Sequence, residues 1–151
     1  MIGDHYGFVY CITFNITGQM YIGKKFFWSK RTLPPLKGKT RKRHLKKESD
    51  WLKYTSSSKI VHALIDKHGI ENFSFEILSL HPNKQETNYA ELRAQIIFDV
   101  LDSRNENGDR LYLNENIERR YYPSEKFYET RIIDHQKLLL CSTANKYPTN
   151  P

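Results

Sequence analysis

The chain has 151 residues, a formal net charge of +7 and 38% hydrophobic residues, a make-up that suits one soluble globular domain and little else. It contains no run of about 18 apolar residues to cross a membrane as a helix, and its first residues lack the basic start and apolar stretch of a secretory signal. Two cysteines, Cys11 and Cys141, are too few for a disulfide framework and are not spaced as a zinc site, so a reducing, cytoplasmic setting is expected.

Residues 7–14 alternate and carry β-branched and aromatic side chains, as a strand does. Asn15-Ile16-Thr17-Gly18 follows as a turn, because Asn and Gly tolerate the positive φ that a short hairpin loop needs. A second strand is expected over residues 19–25. If residues 15–18 form the loop, facing positions have numbers that sum to 33, so Tyr10 lies opposite Gly23 and Tyr21 opposite Ile12. Tyr10 and Tyr21 then project from one face as diagonal neighbours, roughly 7–8 Å apart at the backbone. A register slip of one residue would separate them. Lys24 and Lys25 come just beyond. In a chain with ten tyrosines, the hairpin alone reads most simply as two ordinary sheet tyrosines.

Residues 26–50 are less regular. Pro34-Pro35 rules out a continuous helix, and Gly38 within a basic run reads as an extended loop. From 37 to 47, seven of eleven residues are basic (Lys37, Lys39, Arg41, Lys42, Arg43, Lys46 and Lys47) and none is acidic. A solvated loop or a localisation signal would also carry such a run. The flanking aromatics Trp28, Trp51 and Tyr54 favour phosphate neutralisation instead.

Ser56-Ser57-Ser58 offers a helix N-cap, Ile60, Val61, Leu64 and Ile65 make an apolar stripe, and His68-Gly69 marks the end. Residues 73–80 alternate as a further strand, closed by His81-Pro82. A longer helix is expected over residues 84–101, with Tyr89, Leu92, Ile96 and Val100 as its apolar stripe. Residues 102–109 form a polar turn, and 111–114 pack on the domain. Ser124 is expected to cap a helix over 124–140, followed by a loose tail over 142–151.

The order Phe8-Val9-Tyr10, then Tyr21-Ile22-Gly23, then Arg31 resembles the GIY-YIG endonuclease family. The first triplet departs from the family name, and the second keeps Tyr-Ile-Gly. Lys24 follows the glycine as in many members, and Arg31 falls where the family places its arginine. Glu91, in Tyr89-Ala90-Glu91, resembles the metal-binding glutamate, and Asn114 the asparagine that closes the set. The resemblance covers roughly residues 7–115. It implies an α/β (α+β) domain over 1–141, with a small three-stranded antiparallel sheet flanked by helices and a basic insertion at about 32–50 after the first hairpin. It also departs from the pattern. The position four after the arginine is Pro35 where many members have His or Tyr, and the serine run stands where others have a histidine, leaving His44 and His62 as spatial substitutes.

The residue types suit phosphodiester hydrolysis, which needs an activated water and charge neutralisation at phosphorus. A single carboxylate serves Mg²⁺, which keeps several waters, so the resemblance implies Mg²⁺ at Glu91, with Mn²⁺ as a substitute. Arg31 would face phosphate oxygens with its planar fork. A phenol has an unperturbed pKa near 10, and Lys24, Arg31 and the metal are expected to lower it. Tyr21 is therefore assigned as water activator and Tyr10 as its hydrogen-bonding partner. The implied substrate is double-stranded DNA, with a homodimer for cutting both strands. The rival reading is a catalytically inactive DNA-binding protein that retains the fold. An RNA-directed nuclease fits less well, because no aromatic RNA-binding signature is present.

Overall fold

The computed structural model describes residues 3–123, so the helix expected at 124–140 and the tail at 142–151 lie outside the described residues. Strands β1 (Gly7–Phe14) and β2 (Gln19–Phe26) form the opening antiparallel hairpin. Tyr10 pairs with Gly23 and Ile12 with Tyr21, the register that the loop length implied. Strands β3 (Trp28–Leu33) and β4 (Arg43–Glu48) form a separate two-stranded ribbon. Helix α1 (Lys59–His68), strand β5 (Phe73–His81) and helix α2 (Lys84–Ile97) complete the order. The main sheet is antiparallel, ordered β2-β1-β5.

Alternation along the central strand β1 divides the core in two. Phe8, Tyr10, Ile12 and Phe14 face α1 and pack with Val61, Phe73 and Leu113. Val9 and Cys11 face the other way, where Ile22, Val100 and Tyr112 meet the partly buried Ala90, Leu92 and Ala94 of α2. The sheet is thus flanked by a helix on each face. Ser58 caps α1 by accepting from the Val61 amide, and Gly69 at φ 86° ends it. Asn83 caps α2 in the same way, accepting from the Glu86 amide.

The ribbon and α2 depart from expectation. The basic stretch is not one extended loop: Arg43, Lys46 and Lys47 lie on β4, while Lys37, Lys39, Arg41 and Lys42 lie between the two strands. All seven are exposed. The ribbon escaped a pattern-based reading because it has no buried face to impose alternation. Helix α2 ends at Ile97 instead of 101, as Asp99 adopts φ 51° and breaks the spiral. Its expected apolar stripe is half right: Leu92 and Val100 pack into the core, whereas Tyr89 and Ile96 are exposed, and the buried positions of the helix are Thr87 and Gln95.

Candidate active site

Strand β2 is an outer strand of the sheet, and the site forms around its edge. Alternation sends Tyr21 and Gly23 towards α1, and Ile22 and Lys24 towards α2. Tyr10 reaches across from β1, its ring centroid 6.3 Å from that of Tyr21. A Cβ on Gly23 would lie 2.7 Å from the Tyr10 hydroxyl oxygen and 2.9 Å from Cε1 of Tyr21. Glycine is therefore what lets the two phenols close over the strand. Gly23→Ala is expected to overpack this face and lower stability by about 1–3 kcal/mol in denaturant unfolding. An unchanged unfolding midpoint would mean that the rings yield freely.

Residues 111–114 run along the free edge of β2. The Met20 amide donates to the Leu111 carbonyl at 2.8 Å, and the Leu113 amide to the Met20 carbonyl at 2.7 Å. This brings in Asn114, 2% exposed, whose amide acts as a substitute strand partner. Its Oδ1 accepts from the Ile22 amide at 3.0 Å, and its Nδ2 donates to the Ile22 carbonyl at 2.8 Å. Asn114 thus holds the backbone between Tyr21 and Gly23. Gln95 donates from Nε2 to the same carbonyl at 3.2 Å, while its own Oε1 has no partner among the described residues.

On the α2 side, Lys24 is ion-paired with Glu91, whose side chain is only 14% exposed. Thr87, Glu91 and Gln95 are spaced four apart, which places them on one face of α2. That face is turned towards the sheet although it is polar. A helix that buries polar side chains while leaving Tyr89, Ile96 and Ile97 exposed breaks the usual pattern, and such breaks concentrate at functional sites.

The two sides meet in one cavity of about 480 Å³, lined by Tyr21, Lys24, Glu91, Gln95 and Asn114, and also by Ser57, Lys59 and Arg119. The serine run reaches the phenol. Burial pushes Tyr21 up from its ordinary pKa, the Ser57 and Ser56 hydroxyls pull it down, and the Glu91 charge raises it again. Tyr10, set behind Tyr21, is raised strongly by burial and by the neighbouring phenols Tyr21 and Tyr54.

The family model described as "Putative endonuclease segE, GIY-YIG domain" matches residues 1–117. The chain belongs to the GIY-YIG endonuclease family. No curated protein and no solved structure matches it.

The GIY-YIG residues do not all converge. Tyr21, Lys24, Glu91 and Asn114 line the cavity, and Tyr10 supports it from beneath. Arg31 does not line it: the residue is exposed on β3, opposite Leu45. Counting from Gly23 placed it correctly in sequence, but the chain leaves the sheet edge for the ribbon before reaching it. From the protein's own groups alone the Tyr21 pKa is raised, not lowered: burial is the largest cause, Lys24 is engaged by Glu91 and Arg31 lies elsewhere. Neither histidine supplies the missing one. His44 sits on β4 beside Thr32, and a ring nitrogen of His62 lies 2.9 Å from the Ser56 carbonyl, steadying the serine turn. Ser57, Lys59, Gln95, Glu115, Asn116, Glu118 and Arg119 line the cavity but were not singled out as site residues in the sequence; the helix-capping serine run was the signal for the first two.

The donor set fits a hard divalent cation. Glu91 lines the cavity from α2, and Glu115 and Glu118 line it from the chain beyond Asn114. Among the described residues no group of three or more His, Cys, Asp and Glu side chains could hold a metal ion together. Glu91 with open positions around it suits Mg²⁺, which retains most of its waters and shares phosphate oxygens.

Proposed function

We propose that the chain is a Mg²⁺-dependent DNA endonuclease that hydrolyses phosphodiester bonds at the β2-edge cavity. The observation that carries this reading is the convergence of Tyr21 and Lys24 of β2 with the half-buried Glu91 of α2, distant in the chain, in one cavity. Glu91 would hold the metal, which when bound supplies an acidified water and neutralises charge on the phosphate. Tyr21 faces that space and, in its ionised phenolate form, accepts the proton of the attacking water. Ser57 lines the cavity beside Tyr21, and Tyr10 with Gly23 fixes the plane of the Tyr21 ring. Asn114 keeps the strand edge in place without touching substrate.

The DNA backbone runs over the exposed ribbon, where Lys37, Lys39, Arg41, Lys42, Arg43, Lys46 and Lys47 neutralise phosphates. A second cleft beside the ribbon, lined by Lys25, Lys30 and Lys84 with Trp28, continues the basic track. Neutralising Lys39, Arg41, Lys42 and Arg43 together should weaken duplex binding and flatten its salt dependence, by about 0.9 in log–log slope per lost phosphate contact. An unchanged slope would remove the ribbon from the DNA path.

Arg31 lying away from the cavity favours the second reading, a fold-retaining DNA-binding protein without activity. End-labelled duplex DNA incubated with Mg²⁺, with chelator, and with Glu91→Ala separates the two. Mg²⁺-dependent nicks absent from the variant are expected; duplex bound but left intact in Mg²⁺ would establish the binding protein.

A further inference from the structure

We propose that Lys59, at the N-terminus of α1, is the cation that grips the scissile phosphate in this cavity, in place of Arg31. The inference rests on the nuclease reading of the site. Phosphoryl transfer needs a fixed positive charge at the equatorial oxygens. Arg31 is directed elsewhere, and Lys24 is held by Glu91. Lys59 lines the cavity and makes no ion pair among the described residues.

Its setting is suited to an anion. Lys59 is the first residue of a ten-residue helix whose cap, Ser58, engages only the Val61 amide. The remaining first-turn amides have no intrahelical acceptor, and the positive end of the helix dipole adds to the lysine charge. Ser57, two residues earlier, lines the same cavity as Tyr21, so phosphate grip and water activation meet at one turn of chain. Glu115 and Glu118 also line this cavity, and Lys59 is ion-paired with neither. Arg119 is the competing cation. It also lines the cavity, but from a turn in which both it and Glu118 hold positive φ, at 57° and 51°. Lys59 instead rises from a capped helix packed on the core through Val61.

The test is single-turnover cleavage of a saturating duplex in Mg²⁺ by the wild-type chain, Lys59→Met, Lys59→Arg, Arg31→Met and Arg119→Met, with duplex affinity measured in parallel. Lys59→Met is expected to lower the maximal rate by about 10²–10³-fold with little change in affinity, and Lys59→Arg to restore part of it. Arg31→Met is expected to raise the duplex concentration needed for half-maximal rate and to spare the maximal rate. A wild-type rate in Lys59→Met, or a loss of rate confined to Arg31→Met or Arg119→Met, would overturn the assignment while leaving the nuclease reading intact. A wild-type chain that does not cleave would overturn both. Thermal unfolding of Lys59→Met should match wild type, since the side chain is exposed, so a lost rate would not reflect a lost fold.

Discussion

Glu91→Gln is expected to abolish Mg²⁺-dependent cleavage while duplex affinity stays within a few-fold of wild type. The substitution keeps the shape of the side chain and removes its charge, so packing of α2 on the sheet is preserved. Lost with the charge are the hard anionic ligand and the counter-ion of Lys24. Removing one preorganised charged group from a water-poor site typically lowers turnover by about 10²–10³-fold. The stability change should be small, on the order of 1 kcal/mol, because both partners of the ion pair retain some contact with solvent. Affinity should survive because most of the proposed phosphate contacts lie on the ribbon. Wild-type turnover in Glu91→Gln would take the carboxylate out of the mechanism.

Tyr21→Phe is the second large effect. The ring of Tyr21 packs between Tyr10 and the serine turn, so phenylalanine should fold and bind DNA normally while losing only the hydroxyl. Cleavage should fall by at least about 10²-fold, the scale of a positioned acid–base group. The direction of the Tyr21 shift adds a pH signature. With its pKa above the ordinary value near 10, the ionised phenol is a minor species at neutral pH and grows as pH rises. The wild-type rate should therefore climb from pH 7 as the phenolate fraction grows; a rate that does not rise with pH would count against the phenolate as the base. Linkage has the opposite sense for folding. A phenol whose pKa is raised in the folded state contributes stability that is present below about pH 10 and lost as pH rises through the folded value. Tyr10, raised in the same direction, adds to that alkaline loss.

The part of this site legible in the sequence was the part fixed by strand geometry. Period-two alternation and a four-residue turn set the pairing of Tyr10 with Gly23 and Tyr21 with Ile12, because a buried strand tolerates no slip. The cap at Ser58 and the stop at Gly69 were likewise local signals. Three features resisted. The β3–β4 ribbon is exposed on both faces, so no hydrophobic alternation marks its strands. On α2 the apolar residues Tyr89 and Ile96 are exposed, while Thr87, Glu91 and Gln95 share the inward side with Ala90, Leu92 and Ala94. Apolar periodicity finds the core face of a helix, and here that face is partly polar. Arg31 shows the limit of counting along a chain, because separation from Gly23 in sequence says nothing of the ribbon that carries it off. Lys59, far later in sequence, returns to the same strand edge by way of α1.

The account depends most directly on a divalent ion being held where the helix carboxylate, the strand phenol and the edge asparagine meet. A Mn²⁺ titration followed by amide NMR measures this without requiring turnover. Paramagnetic broadening should begin at Tyr21, Lys24, Glu91, Gln95 and Asn114 and be absent at the same metal concentration in Glu91→Gln. Broadening centred elsewhere on the molecule, or identical in the variant, would contradict the account.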